Sequence, residues 1–210
     1  MTAQPIKYVI GQDVSKAELE ICYKTLYEGQ EIKIKGSRKF PNTLKGFDSL
    51  KKWIEKRRKV ESIPVQIVME ATGVYHEQSA HYFHQAGYQV NVVLPNKSAN
   101  YLKSIGNKSK TDKIDAKGLA QMGATYQLRV WQPPSKEILH IRHLNRHKNA
   151  LEKTKTQLNN RLHAHSYSSE SNSFVIKQLE AQINYTSKQI EQTVKEVKEL
   201  LKTESEFGQK

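Results

Sequence analysis

The first forty residues carry three runs of strand-like patterning. Lys7 to Asp13 (Lys-Tyr-Val-Ile-Gly-Gln-Asp) is short and β-branched, with Asp13 at or just past its end. Glu18 to Thr25 alternates Leu19, Ile21 and Tyr23 with polar neighbours, and Glu31 to Phe40 alternates Ile32 and Ile34 with Lys33 and Lys35. Period-two alternation marks half-buried strands, so an antiparallel meander is expected. From Asn42, the expected N-cap, Leu44, Phe47, Leu50 and Ile54 recur at helical spacing toward a basic last turn ending at Lys59.

The next run, Val65-Gln66-Ile67-Val68-Met69-Glu70, has almost no alternation and reads as a buried central strand whose C-terminal end carries Glu70. A helix from about His76 to Ala86 is closed by Gly87, and Gln89 to Leu94 forms a further buried strand stopped by Pro95. Helices follow from Pro95 to about Ile105 and from Thr111, a plausible N-cap, to Tyr126.

Beyond Pro133-Pro134 the period changes. Ser135 is an N-cap for a long helix toward His165, with Leu144, Leu151 and Leu158 at one seam position and Ile141, Lys148, Lys155 and Leu162 at the other. After a polar break at Ser166 to Ser173, a second helix carries Ile176, Ile183, Ile190 and Val197 beside Leu179, Thr186, Thr193 and Leu200. Such heptads predict a coiled-coil hairpin, closing within one chain or pairing with a second copy as a homodimer. The expected division is a domain over 1–132, the hairpin over 135–203 and a tail over 204–210.

Composition narrows the partners. The 210 residues hold 34 Lys and Arg against 21 Asp and Glu, a formal charge of +13 that points to a polyanion, nucleic acid ahead of an anionic membrane. No apolar run approaches a spanning helix, so a soluble, cytoplasmic chain is expected. The single cysteine, Cys22, excludes an internal disulfide framework and reads as a buried strand residue. Trp53 and Trp131 read as core, and the histidines from His140 to His147 lack a zinc-site pattern.

Candidate chemistry centres on Lys108-Ser109-Lys110-Thr111-Asp112-Lys113-Ile114-Asp115-Ala116-Lys117. On a helix, Asp112 and Asp115 share a face. Adjacent carboxylates repel and call for a cation, either a hard divalent ion or, in a solvated helix turn, Lys113 and Lys117 themselves. Asp13 after the first strand and Glu70 after the fourth change the balance. Acids at these strand ends with further acids on a late helix follow the order of a ribonuclease H-like fold. Four such carboxylates could hold two Mg²⁺ ions about 3.5–4 Å apart for in-line displacement at phosphorus.

Three blocks, Gly11-Gln12-Asp13-Val14-Ser15-Lys16, Glu70-Ala71-Thr72-Gly73-Val74-Tyr75 and Lys110-Thr111-Asp112-Lys113-Ile114-Asp115-Ala116, resemble the signature blocks of the DEDD-type insertion-sequence transposases. This is the IS one-hundred-and-ten family, which includes the Piv DNA invertase and the bridge-RNA-guided recombinases. The resemblance implies an α/β, RuvC-like mixed sheet with flanking helices, followed by the coiled-coil hairpin. It implies Asp13, Glu70, Asp112 and Asp115 as catalytic Mg²⁺ ligands. It further implies a transposase or site-specific recombinase that cleaves and transfers DNA at insertion-sequence ends, guided by a structured RNA. Lys16, Thr72, Lys97, Lys103, Lys108, Lys110, Lys113, Lys117, Arg142, Arg146 and Arg161 are the expected nucleic-acid contacts. The family's serine-bearing C-terminal domain is expected to be missing from this chain. The alternatives are a catalytically incomplete binding or dimerisation fragment and a Holliday-junction-type endonuclease; Ser15, Ser104 and Ser109 read as structural or phosphate-binding.

Overall fold

A computed structural model describes residues 3–71, 73–106 and 112–207, the side chains of 112, 113 and 203–207 excepted. The chain divides into two units, Met1–Pro133 and Pro134–Lys210.

The first unit is built on one five-stranded sheet of order β3-β2-β1-β4-β5. Strands β1 (Pro5–Val14), β2 (Glu18–Tyr27) and β3 (Ile32–Pro41) form the antiparallel meander. Strands β4 (Val65–Glu70) and β5 (Gln89–Val93) join it in parallel, β4 directly beside β1. That neighbour relation is the one a ribonuclease H-like order requires.

Alternation along each strand sends side chains to two different cores. Tyr8, Ile10, Ile21, Tyr23, Ile67 and Met69 point to the face covered by α1 (Leu44–Glu55) and α2 (Glu77–Gln85), where Phe47, Trp53 and Phe83 complete an aromatic core. Val9, Val68 and Val93 point to the opposite face, against Leu119 and Met122 of α4 (Asp112–Thr125). Helix α3 (Pro95–Ser104) packs beside α4. The central strands are apolar on both faces because both are covered, which is why Val65 to Glu70 shows no alternation.

Two expectations for α1 are corrected. Its N-cap is Thr43, whose Oγ1 accepts from the Gly46 N–H at 3.2 Å, and Asn42 makes other bonds. The helix ends at Glu55 and does not run to Lys59. The backbone N–H groups of Lys59 and Val60 turn instead onto the Tyr8 hydroxyl, at 3.2 and 3.1 Å. Cys22 is buried as expected, and burial pushes its thiol pKa up, away from nucleophile behaviour. Trp131 is half-buried between His81 and His84, and its backbone N–H donates to the Val90 carbonyl at 2.7 Å.

The second unit is the helix pair α5 (Lys136–Ser166) and α6 (Ser173–Phe207). Ser135 caps α5 by accepting from the Ile138 N–H at 3.3 Å, and Asn172 caps α6 by accepting from the Phe174 N–H at 3.0 Å. The least exposed positions of both helices are the seam residues read from the heptads, with Leu158, Leu179, Thr186 and Thr193 buried. Lys148 tolerates its seam position by pairing with Glu152 of its own helix at 3.0 Å. Among the described residues, no helix is long and apolar enough to cross a membrane.

Candidate functional site

Helix α4 lies close on the sheet because small residues meet there. A Cβ on Gly11 would fall 2.0 Å from the Ala116 carbonyl oxygen and 2.4 Å from the Ala120 nitrogen. One on Gly123 would fall 2.7 Å from Val9 Cγ1 and 2.6 Å from Val68 Cγ2. Only with both side chains absent can the helix backbone rest on β1. Val9 therefore sits under Gly123 and Gly11 under Ala116, so α4 runs antiparallel to β1. Lys7 fixes the far end, donating to the Gly123 carbonyl at 2.5 Å; burial lowers the pKa of its ammonium.

Extending this register places the acids. Asp13 is two residues beyond Gly11 on β1 and shares its face, the face of α4. Glu70 is two residues beyond Val68 on β4, also on that face, one step past the last paired residues Gln12 and Met69. On α4, Asp112 is one turn before Ala116 and Asp115 one turn before Leu119, the residues that meet the sheet. Three elements thus carry Asp13, Glu70 and Asp115 toward one end of one face. Asp13, Glu70 and Asp115 are each half-buried. The side chain of Asp112 lies outside the described residues.

The donor chemistry is all carboxylate, which suits a hard divalent cation. Among the described residues no three His, Cys, Asp or Glu form a group that could hold a metal ion.

Several residues of this end were not foreseen. Ser98, buried in the first turn of α3, has its Oγ 2.6 Å from Glu70 Oε2 and orients that carboxylate. Nothing in Pro95-Asn96-Lys97-Ser98 signals the role. Asn42 Nδ2 donates to the carbonyls of Ser15 at 2.9 Å and Tyr75 at 3.1 Å, tying together the turns that follow Asp13 and Glu70. Glu20 is the cross-strand partner of Asp13, only 9% exposed, with Lys39 Nζ at 3.9 Å. Its place in an alternating strand hid it. A groove of about 640 Å³ opens between α3 and α4, lined by Lys24, Tyr101, Lys117 and Tyr126. Lys24 donates to Gln121 Oε1 at 2.6 Å, and burial lowers the pKa of its ammonium.

Of the expected nucleic-acid contacts, Lys16 is exposed in the turn after β1, and Lys97 and Lys103 are exposed on α3. Lys117 lines the groove. Arg142, Arg146 and Arg161 are exposed on α5. Thr72, Lys108 and Lys110 lie outside the described residues, as do Ser109, the expected cap Thr111 and the side chain of Lys113. Ser15 is structural: its Oγ accepts from the Glu18 N–H at 3.0 Å in the β1–β2 turn. Ser104 Oγ donates to the Tyr101 carbonyl at 2.7 Å.

A family profile described as transposase, of the DEDD type, matches residues 10–165. A pilin gene-inverting protein of Moraxella lacunata is 34% identical over 129 residues, 61% of this chain and 38% of that protein. The Moraxella bovis pilin gene-inverting protein is 33% identical over the same extent. The match therefore spans little more than a third of these relatives. Among solved structures, T. thermophilus RuvC in complex with Holliday junction substrate aligns with TM-score 0.43 and 10% identity, over 59% of this chain and 99% of that one. The yeast mitochondrial Holliday junction resolvase Ydc2 aligns with TM-score 0.37 and 12% identity, over 58% and 81%.

Proposed function

The chain belongs to the DEDD transposases of the IS one-hundred-and-ten family, and from that premise we propose that it carries the metal-dependent strand-cleaving half of a DNA recombinase. The observation that supports this reading is the convergence of Asp13, Glu70 and the first turn of α4 at one end of one sheet face, made possible by Gly11.

In this reading Asp13, Glu70, Asp112 and Asp115 would hold two Mg²⁺ ions, which would supply Lewis-acid stabilisation for an in-line displacement at phosphorus. The protein's own contribution is placement. Glu70 is held in one orientation by Ser98, and the turns after Asp13 and Glu70 are braced by Asn42. Lys16, Lys97, Lys117 and the lysines around Asp112 neutralise the DNA backbone approaching the acids. Insertion-sequence ends are the substrate, and a structured guide RNA reads sequence by pairing, leaving the protein to supply backbone contacts and chemistry. The chain works in the cytoplasm as a homodimer through α5 and α6.

Two measurements test the reading. Mn²⁺ binding, followed by electron paramagnetic resonance, is expected for the 210-residue chain and lost in Asp13→Ala. Mg²⁺-dependent nicking of duplex or junction DNA is expected to follow the same pattern. Undiminished metal binding and cutting by Asp13→Ala would refute the site. DNA binding by the wild type without metal binding or cutting would favour a binding-only protein.

A further inference from the structure

A cleft of about 920 Å³ in the first unit lies away from the acids. Tyr8 lines it, five residues before Asp13 on β1, or about 17 Å at the usual strand rise, and on the opposite face of the sheet. Lys33 and Lys35 reach it from β3, and Lys56, Arg57 and Lys59 from the turn after α1, against one carboxylate, Glu31.

Three of these cations are held by neighbouring side chains. The Lys33 and Lys35 ammoniums both lie over the Tyr27 ring, 5.7 and 5.0 Å from its centroid, and Lys33 also pairs with Glu31 at 2.9 Å. Arg57 stacks on Trp53 at 4.1 Å and donates to the Trp53 carbonyl at 3.1 Å, which fixes its guanidinium at the cleft wall. Lysines on β3, an edge strand, also discourage sheet-to-sheet association. That role accounts for Lys33 and Lys35. It does not account for three further cations converging on the same cleft from a different element.

We propose that this cleft binds the phosphate backbone of a second nucleic-acid segment, separate from the strand presented to the acids. Five cations spread along a cleft match a repeating polyanion better than a single small anion. The site needs neither a metal ion nor Asp13, so its failure would leave the reading of the acid site untouched.

The test is run on the 210-residue chain in EDTA, with labelled 20-base-pair DNA and RNA duplexes and fluorescence anisotropy. Lys35→Glu with Lys59→Glu is expected to weaken binding of at least one duplex about tenfold and to lower its salt slope by about 2, the equivalent of two lost phosphate contacts. Lys45→Glu with Lys51→Glu, the same charge change on the exposed side of α1, is the control and should cost less than about threefold. Equal losses from both pairs would overturn the proposal in favour of diffuse charge. Acetylation footprinting of the wild type removes any dependence on how the variants fold. Lys33, Lys35, Lys56 and Lys59 should acetylate more slowly with duplex bound, and unchanged rates would overturn the proposal.

Discussion

Ser98 Oγ lies 2.6 Å from Glu70 Oε2, joining the first turn of α3 to the end of β4. A hydroxyl donating to a carboxylate selects one rotamer of that carboxylate. In Ser98→Ala the lost bond is expected to cost about 2 kcal/mol in urea denaturation, within the range for bonds to charged groups. Mn²⁺ affinity should fall about tenfold, as for outer-shell partners of metal ligands, while Glu70→Gln loses far more. Unchanged Mn²⁺ affinity in Ser98→Ala would separate Ser98 from the acid site.

Gly11→Ala should be among the most damaging single substitutions in the first unit. Its methyl would stand 2.0 Å from a helix carbonyl, which cannot move without lifting α4. A loss of about 3 kcal/mol is expected, at the upper end of ordinary overpacking. Gly36→Ala is the comparison: its Cβ would meet Trp53 Cζ2 at 3.1 Å, so a small ring shift relieves it. Chemical denaturation of the two variants side by side checks the contrast.

Asn42 and Thr43 are adjacent but serve different structures. Thr43→Ala removes a helix cap, at about 1 kcal/mol, and should raise amide exchange at Gly46 and Phe47. Asn42→Ala should raise it at Ser15 and Glu77, in the turns that Asn42 braces. Hydrogen exchange with mass spectrometry distinguishes the two patterns.

Alkaline stability carries a signature of Tyr82. Burial and its hydrogen bond to Asp48 push its phenol up to about 12, above the ordinary value of 10. The folded state therefore holds this proton where the unfolded state releases it. The associated stabilisation is complete below pH 10 and is lost as pH rises toward 12. Between pH 9 and 11.5 the melting temperature of the wild type should fall more steeply than that of Tyr82→Phe, measured by circular dichroism.

Much of this architecture is visible in local patterning, because alternation, glycine stops and heptads report burial directly. The β1–β2–β3 meander, the buried β4 ending in Glu70 and the seam residues of α5 and α6 all have such signals. What escapes is long-range and polar. Ser98 meets Glu70 across 28 positions of sequence, and Asn42 bridges two turns that only the sheet brings together. A side-chain amide beside a threonine gives no clue which of them caps the helix. Glu20 shows the reverse case: its alternating strand predicts an outward polar residue, but that face is covered by α4.

Helix α4 is held at its tail, where Lys7 grips the Gly123 carbonyl, and carries its acids at its head. Between those ends its backbone is seated on β1, where Gly11 leaves room for Ala116 and Ala120. Asp112 stands one turn before Ala116, about 6 Å along the axis, so the depth at which the helix sits on Gly11 sets how far its first turn stands from the end of β1.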